Sequence, residues 1–248
     1  MKNKKILIIG ASSGIGRATA IYLAQKGAHL VLISRNEEKL QALISECEGN
    51  NHHFAAIDVL DFEKLETFIS MHSIESGIPF DGFVYSAGVE GTVPLKFLKK
   101  EALENILNVN VTPAVLVSKI LLKKGIFTKE GGSFVFISSV MGSLGQPAKI
   151  AYCMSKGALI SAMKAMALEL AEKRIRVNCI SPGMVVTEMS SKILDSISDD
   201  NKIEIEKMHP LGIGNVQDIA NGIEFLLSDK SKWITGIDLL IDGGYSAQ

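Results

Sequence analysis

The sequence lacks any long run of one charge sign, because its 26 Lys and Arg residues are interspersed with 27 Asp and Glu residues. Such balance does not indicate a nucleic-acid partner. The sequence also lacks the roughly 18 uncharged apolar residues in succession that a membrane span requires. The apolar run near the amino terminus is short and ends at Gly10 without a cleavage-like site, so it resembles a strand more than a signal peptide. We expect a cytoplasmic protein that binds neither nucleic acid nor membrane.

Cysteine is also scarce. Cys47, Cys153 and Cys179 are scattered, odd in number and without metal-ligand spacing. A disulfide framework is therefore excluded as a source of stability, and a reducing compartment is the simplest interpretation. The sequence predicts no metal site.

Short apolar runs alternate with longer helical patterns along all 248 residues, and hydrophobic residues make up 47% of the chain. The runs are continuously apolar, which is typical of strands buried on both faces. Predicted strands cover 5–10, 29–34, 53–59, 82–88, 133–139, 175–181 and 237–243, and predicted helices cover 14–26, 36–47, 61–77, 100–124, 150–172 and 216–228. Residues 1–248 are therefore expected to form one α/β domain, a doubly wound (Rossmann) parallel sheet of about seven strands with helices on both faces.

Residues 183–210 differ from this pattern, because they are polar, favour helix and lie far from any predicted strand. Long excursions of this kind are either functional or superficial. Two interpretations remain open, a flap over a substrate site and a plain surface segment.

A glycine-rich turn, GASSGIG, follows the first predicted strand and leads directly into a helix. Its glycines are Gly10, Gly14 and Gly16, spaced G-x-x-x-G-x-G. Glycine allows a sharp turn and close approach of backbone to a pyrophosphate, which the helix amino terminus then binds. At the first βα junction the turn predicts dinucleotide binding, although glycine in such turns is common.

Tyr152 and Lys156 stand four positions apart in AYCMSKGALI, and so share one face of a predicted helix. Taken alone, the pair favours simple packing of a lysine stem over a ring. The alternative is a phenol beside a cation that lowers its pKa from the usual value of about 10, so that it can transfer a proton near neutral pH.

Several short motifs occur together in one order. They are GASSGIG at 10–16, DV at 58–59, SAG at 86–88, Asn110 in NVN, ISS at 137–139, Tyr152 with Lys156, SPG at 181–183, DIA at 218–220 and DGG at 242–244. In this order the sequence resembles the short-chain dehydrogenase/reductase family over essentially its whole length. The pattern is most similar to the 3-oxoacyl-[acyl-carrier-protein] reductases.

The resemblance implies four catalytic residues. Tyr152 would be the proton donor, and Lys156 would tune its pKa and bind the nicotinamide ribose. Ser139, at the end of a predicted strand, would stabilise the carbonyl oxygen as it gains charge. Asn110 would hold a water chain that leads to Lys156, aided by a helix kink at Pro113 that frees backbone acceptors for water.

The resemblance also implies NADP(H) as cofactor. The position that carries a carboxylate in NAD enzymes of this fold is the neutral Ser34, and Arg35 follows it. A guanidinium suits a 2′-phosphate, whereas the competing interpretation makes Glu37 or Glu38 the ribose ligand. Asp58 would bind the adenine amino group. The expected cofactor-binding residues are Gly10, Ser12, Ser13, Gly14, Ile15, Gly16, Arg35, Asp58, Val59, Ala87, Gly88, Tyr152, Lys156, Pro182, Gly183, Val185 and Thr187.

The sequence departs from the family pattern at three places. Ile9 replaces a common threonine, and Tyr85 with Ser86 replaces an Asn-Asn pair. Segment 209–220 is one residue shorter than usual and lacks an arginine, although its Asn215 and Asp218 can still cap the following helix.

The expected function is NADP(H)-dependent interconversion of a ketone and a secondary alcohol, with 3-oxoacyl thioesters on acyl carrier protein as one candidate substrate. A steroid, sugar or small-alcohol dehydrogenase and a catalytically silent dinucleotide-binding protein remain alternatives. A carrier could dock on basic residues at 124, 129, 173 and 174, or these residues could simply be solvated. Family precedent and the small residues Ala151, Ala158, Ala162 and Ala165 on one helix predict a homotetramer.

Overall fold

The computed structural model describes residues 1–195 and 198–247. Its centre is a seven-stranded parallel sheet with strand order β3-β2-β1-β4-β5-β6-β7. The strands are β1 (Lys5–Ile9), β2 (His29–Ser34), β3 (His53–Ala56), β4 (Gly82–Tyr85), β5 (Gly132–Ile137), β6 (Ile175–Pro182) and β7 (Asp238–Ile241). The predicted doubly wound α/β fold is confirmed.

Helices connect these strands and cover both faces of the sheet. In the described part of the chain the α-helices are α1 (Gly14–Gln25), α2 (Glu37–Glu46), α3 (Phe62–Ser70), α4 (Lys100–Asn110), α5 (Thr112–Leu121), α6 (Ile150–Glu169), α7 (Glu188–Asp195), α8 (Asp199–Lys207) and α9 (Val216–Leu227). The predicted cap of α9 is present, since Asn215 and Asp218 form a reciprocal capping box.

Alternate residues of each strand serve opposite faces, which explains the continuously apolar runs. Leu7 and Ile9 of β1 pack into a core with α5 and α6 on one face, while Ile6 and Ile8 pack with α1 and α9 on the other. All four side chains are at most 1% exposed. Burial on both sides holds the sheet rigid and fixes the position of the loops at its carboxyl edge.

The predicted helix over 100–124 is wrong in one respect, since the structure divides it into α4 and α5 at Val111. Pro113 has no N–H to donate to the Val109 carbonyl and so cannot continue the ladder of hydrogen bonds. The Tyr85 hydroxyl donates to that carbonyl instead, at 2.5 Å. The helix therefore breaks between α4 and α5, whereas a kink within one continuous helix was expected at Pro113.

Four predicted strands, those that correspond to β3, β4, β5 and β7, extend two or three residues beyond the observed ends. Strands β3 and β4 end at Ala56 and Tyr85, and the residues predicted to continue them, 57–59 and 86–88, form loops. These loops begin where backbone pairing within the sheet stops, and they border the cleft described next.

Candidate active site

A cleft of about 920 Å³ lies at the carboxyl edge of the sheet. It spans the point where the strand order reverses, since β1 pairs with β2 on one side and with β4 on the other. Ligands of open α/β sheets bind at this position, because loops diverge there in opposite directions. The cleft therefore offers an elongated site with two distinct ends.

The glycine turn forms the floor of the first end. Gly10 has φ +86°, and a Cβ there would lie 2.4 Å from the Ala87 amide nitrogen. A Cβ on Gly16 would lie 2.2 Å from the Gly10 carbonyl oxygen. The turn consequently packs against the loop after β4 with no room for a side chain. Because the Ser13 side chain does not cap α1, the first N–H groups of this helix stay available to an anion.

Basic residues follow β2 at the same end. Arg35 and Lys39 line the cleft, and Ser34 and Asn36 line it beside them. Among the described lining residues, neither Glu37 nor Glu38 is present, which speaks against the competing assignment of a ribose carboxylate. Lys39 also pairs with Glu188 at 2.6 Å, and so joins the start of α2 to the start of α7. Sequence reasoning missed Lys39, although its place in the first turn of the predicted helix over 36–47, close after Arg35, was a usable signal.

Most predicted cofactor residues lie on the wall of this one cleft. The exception is Gly16, which packs beneath the turn. The predicted residues on the wall are Gly10, Ser12, Ser13, Gly14, Ile15, Arg35, Asp58, Val59, Ala87, Gly88, Tyr152, Lys156, Pro182, Gly183, Val185 and Thr187.

Ser139, Tyr152 and Lys156 meet in the middle of the cleft. Ser139 follows β5, and its hydroxyl is hydrogen-bonded to the Tyr152 phenol. Lys156 Nζ donates to the Ile137 carbonyl at 2.8 Å and lies 5.6 Å from the Tyr152 ring centroid. Helix α6 supplies both Tyr152 and Lys156 from one face, as their spacing predicts.

Burial is the main cause of the pKa shifts of Tyr152 and Lys156. It lowers the pKa of Lys156 to about 8, because desolvation disfavours the ammonium. It raises the pKa of Tyr152, and the hydrogen bond from Ser139 offsets this only in part. The expected lowering of the Tyr152 pKa by Lys156 stays a prediction for the loaded site, because burial dominates the pKa of both groups in the protein by itself.

Asn110 lies beneath the cleft wall and is fully buried. Its Oδ1 accepts from the Val89 amide at 2.8 Å, and its Nδ2 donates to the Val89 carbonyl at 3.0 Å and to Ser155 Oγ at 2.9 Å. The side chain thus ties the loop after β4 to α6. A Cβ on Gly88 would lie 3.4 Å from Asn110 Oδ1 and 3.6 Å from Lys156 Nζ, which places Asn110 close to the lysine.

The acceptor that Pro113 was expected to free for water is not free. The Tyr85 hydroxyl binds the Val109 carbonyl, so the departure of Tyr85 from the family pattern compensates for the helix break. Tyr85 is fully buried among the core aromatics. This hydrogen bond fixes the end of α4, and with it Asn110.

The second end of the cleft is lined by side chains that the sequence analysis did not single out. Glu90 forms an ion pair with Lys149, and Lys149 Nζ lies 5.9 Å from the Tyr152 ring centroid. No sequence signal links the pair, because the two residues belong to loops far apart in the chain. Other lining residues of the cleft that were not predicted are Thr92, Asn105, Met141, Gln146, Met184, Met189, Met208, His209 and Tyr245.

Residues from the segment 183–210 cover one side of the cleft. Gly14 faces Thr187, since a Cβ on Gly14 would lie 3.3 Å from the threonine methyl carbon. Buried His209 accepts from the Met184 amide through Nε2 at 3.0 Å and donates from Nδ1 to the Ile205 carbonyl at 2.7 Å. These hydrogen bonds join the beginning of the segment to its end beside the cleft. Residues 196 and 197 of this segment lie outside the described residues.

In the portion of the chain that the structure covers, none of the helices combines the length and apolar character needed to cross a membrane. The three cysteines are free thiols, and Cys47 and Cys179 are buried.

Comparison with known proteins connects this cleft to dehydrogenases and reductases. A family model described as Enoyl-(Acyl carrier protein) reductase matches residues 10–246. L-xylulose reductase of Mesocricetus auratus is 35% identical over 247 residues, which cover 99% of this chain and 97% of that protein. 3-oxoacyl-[acyl-carrier-protein] reductase FabG of Vibrio harveyi is 33% identical over 245 residues and covers 98% of each chain.

Solved structures agree with these relatives. A short-chain type dehydrogenase/reductase from Mycobacterium ulcerans matches with a TM-score of 0.92 at 29% identity, over 100% of this chain and 91% of that one. ElxO with NADP bound matches with a TM-score of 0.88 at 33% identity over 100% of both chains. 4-hydroxyisoleucine dehydrogenase complexed with NADH matches with a TM-score of 0.87 at 32% identity, over 99% of this chain and 100% of that one. This chain therefore belongs to the short-chain dehydrogenase/reductase family, whose members are oxidoreductases that use a nicotinamide dinucleotide.

Proposed function

We propose that this protein is an NADPH-dependent reductase that converts a ketone into a secondary alcohol, and that Ser139, Tyr152, Lys156 and Asn110 form its catalytic group. The observation that best supports this proposal is that Ser139, Tyr152 and Lys156 converge in one cleft. One end of that cleft holds a glycine turn and two basic residues. Each of these features alone is common, but their placement along one cleft matches the needs of carbonyl reduction.

The bound nicotinamide would supply a hydride to the carbonyl carbon. The protein's own task is then to hold and protonate the carbonyl oxygen. Ser139 Oγ and Tyr152 Oη bind that oxygen, and Tyr152 transfers its proton as negative charge develops there. The ammonium of Lys156 stabilises the resulting phenolate and binds ribose hydroxyl groups. Asn110 acts from behind the wall by fixing the loop after β4 and the helix that carries both residues.

The preference for NADPH rests on charge at the end of β2. Arg35 and Lys39 both line the cleft there, and Ser34 contributes no carboxylate that would repel a 2′-phosphate. Hydroxyl groups of Ser12 and Ser13 add donors on the same side. The related structures hold NADP in one case and NADH in another, so the choice for this chain is argued from these residues.

A 3-oxoacyl thioester on acyl carrier protein is one candidate substrate, because curated relatives include reductases of this kind. The proposed basic docking residues at 124, 129, 173 and 174 precede β5 and β6. They lie at the amino edge of the sheet, opposite the cleft of the same chain. A carrier bound there could serve only the cleft of another copy of this chain.

The carrier hypothesis is tested by charge reversal at Lys129 and Lys173. It predicts a higher KM for a carrier-linked thioester and an unchanged KM for a free acetoacetyl thioester. Equal effects on both substrates would count against carrier docking.

We also propose a homotetramer. On α6, Ala158 and Ala162 are half-buried, Ala165 is exposed, and Leu168 is 81% exposed. Ala151 is buried within the chain and cannot contribute, contrary to the expectation that it lies on this face. A monomer in sedimentation at micromolar concentration would reject the assembly.

The reaction itself is tested by mixing the protein with NADPH and a panel of acetoacetyl thioesters, steroids and small ketones. Loss of NADPH absorbance identifies the substrate class. Binding of NADPH without oxidation in the presence of any member of the panel would instead support a catalytically silent binding protein.

A further inference from the structure

We infer that the Glu90–Lys149 ion pair selects the substrate, and that it selects a short neutral ketone with hydroxyl groups next to the carbonyl. This inference rests on the proposed ketone reduction and names the substrate class of that same cleft. It starts from the position of the pair, since both residues line the cleft and Lys149 Nζ stands 5.9 Å from the ring centroid of Tyr152.

The pair is held in place by the backbone on both sides. Lys149 immediately precedes α6, and the preceding Ala148 adopts φ +64°, a left-handed conformation that residues with a Cβ rarely adopt. The Ala148 carbonyl accepts from the Val93 amide at 2.7 Å, which ties this loop to the loop that carries Glu90. The Lys149 and Glu90 side chains are only 12% and 15% exposed. The cleft therefore presents a fixed ammonium and carboxylate beside the reacting group.

Such a wall matches a hydroxyl group on both counts. A hydroxyl accepts a hydrogen bond from the ammonium and donates one to the carboxylate. Because Glu90 neutralises Lys149, the wall has no net charge with which to attract a keto acid. An apolar chain laid against the pair would remove water from both charged groups and replace none of their hydrogen bonds. The pair thus favours hydroxylated ketones and disfavours acyl chains.

A second, mainly apolar cavity lies beyond this wall. This cavity of about 160 Å³ is lined by Val93, Leu98 and Ile106, and Glu90 with Asn105 lines both spaces. Glu90, held by Lys149, stands at the boundary between them. Glu90 therefore separates the cleft beside Tyr152 from this apolar space.

The test compares two ketones with one carbon skeleton, 1,3,4-trihydroxybutan-2-one and butan-2-one. We expect the parent protein to reduce the hydroxylated ketone with the higher kcat/KM. Lys149→Met should lower kcat/KM for that ketone by roughly 10- to 100-fold, mainly through KM, since a hydrogen bond to a charged group is lost. Butan-2-one should change by only a few-fold. Equal losses on both ketones would mean that the pair is merely structural, and would overturn the inference.

Glu90→Gln provides a second variant that preserves shape. It should weaken reduction of the hydroxylated ketone and, by releasing the charge of Lys149, improve reduction of the anionic ketone acetoacetate. A loss on acetoacetate in this variant would contradict the neutralising role of Glu90. Lys100→Met and Glu104→Gln are matched controls, because this exposed pair on α4 lies outside the cleft, and both should leave every ratio unchanged.

The same measurements separate this inference from the proposed function. If the parent reduces butan-2-one or an acetoacetyl thioester without preferring the hydroxylated ketone, the inference alone fails. If the parent reduces no ketone of the panel, the proposed function fails and the inference falls with it. Thermal unfolding and NADPH binding of each variant show whether a loss reflects the pair or the fold.

Discussion

The two ends of the cleft are built in different ways. At the cofactor end, the glycine turn and the start of α1 shape the wall with backbone atoms, and the residues concerned are contiguous in the sequence. At the substrate end, the wall includes side chains such as Glu90 and Lys149, which come from segments distant in the chain. A backbone-built site leaves a local sequence signature, whereas a side-chain-built site leaves one only in three dimensions.

The contrast has a physical origin in what each part of the bound ligands requires of the protein. A pyrophosphate needs N–H donors and close approach, and these demand glycine at fixed spacing. A substrate needs complementary groups, and many different residue pairs can supply them. We therefore expect changes at the cofactor end to alter binding of every substrate alike, and changes at the substrate end to alter ratios between substrates.

The largest effect should come from the residue that stands between the two ends. Tyr152→Phe removes the proposed proton donor and keeps the ring, so turnover should fall by about 10²- to 10⁴-fold, the usual contribution of a general acid. NADPH affinity should change little, because the cofactor end is untouched. Steady-state rates and fluorescence titration with NADPH measure the two quantities. Activity within a few-fold of the parent would show that Tyr152 is not the donor.

Sequence reasoning succeeded where backbone demands dictated residue type. The strands, the glycine turn and the spacing of Tyr152 and Lys156 were all predictable from burial on both faces of the sheet and from helical geometry. It failed where a residue contacts another that is distant in the sequence. From the sequence, Tyr85 was expected only to remove a hydrogen-bonding residue of the family pattern. The structure shows that its hydroxyl donates to the Val109 carbonyl, which Pro113 leaves without a backbone donor.

The titration behaviour of the site was also beyond the sequence. Proximity of Lys156 suggested a lowered pKa for Tyr152, but the degree of burial decides the direction, and burial follows from the whole fold. Lys39 is an intermediate case, since its place in the first turn of α2, close after Arg35, could have revealed it.

A pair of glycine substitutions sharpens the claim that backbone shapes the cofactor end. Gly10 and Gly77 both have positive φ, at +86° and +69°. Alanine at Gly77 meets nothing within 4 Å, whereas alanine at Gly10 would meet the Ala87 backbone at 2.4 Å. Both substitutions should lower the free energy of unfolding by about 1–2 kcal/mol for the left-handed backbone. Gly10→Ala should cost roughly 1–3 kcal/mol more for the clash.

Urea unfolding gives both values, and NADPH titration adds a second criterion. Binding should weaken in Gly10→Ala and stay normal in Gly77→Ala, because only the first glycine lies on the cleft. Equal losses of stability at both positions would show that the close packing of the turn is unimportant.

Cofactor preference tests whether side chains determine the choice between NADPH and NADH, even though backbone atoms shape this end of the cleft. Ser34→Asp combined with Arg35→Asp places carboxylates where Ser34 and Arg35 now line the cleft. The ratio of kcat/KM for NADPH over NADH should fall by roughly 10- to 100-fold, the value of a hydrogen bond to a charged group. Lys173→Asp is a control for added negative charge, since Lys173 lies at the opposite edge of the sheet. Equal kcat/KM for both cofactors in the parent protein would contradict the assignment of Arg35.

The smallest effect concerns pH, and it joins the two ends through Lys156. Burial lowers the pKa of this lysine to about 8, so the ammonium is present below that pH and is lost as the pH rises through it. The proposed mechanism needs a charged Lys156 to stabilise the phenolate. The value of kcat/KM for NADPH, which reports the free protein, should therefore fall about tenfold per pH unit above pH 8. Lys156→Arg should retain its charge and, if active, should move this limb upward, because a guanidinium does not deprotonate in this range. A parent profile that stays flat to pH 10 would mean that the charge of Lys156 does not limit the reaction. A limb that stays near pH 8 in the arginine variant would assign the titration to another group.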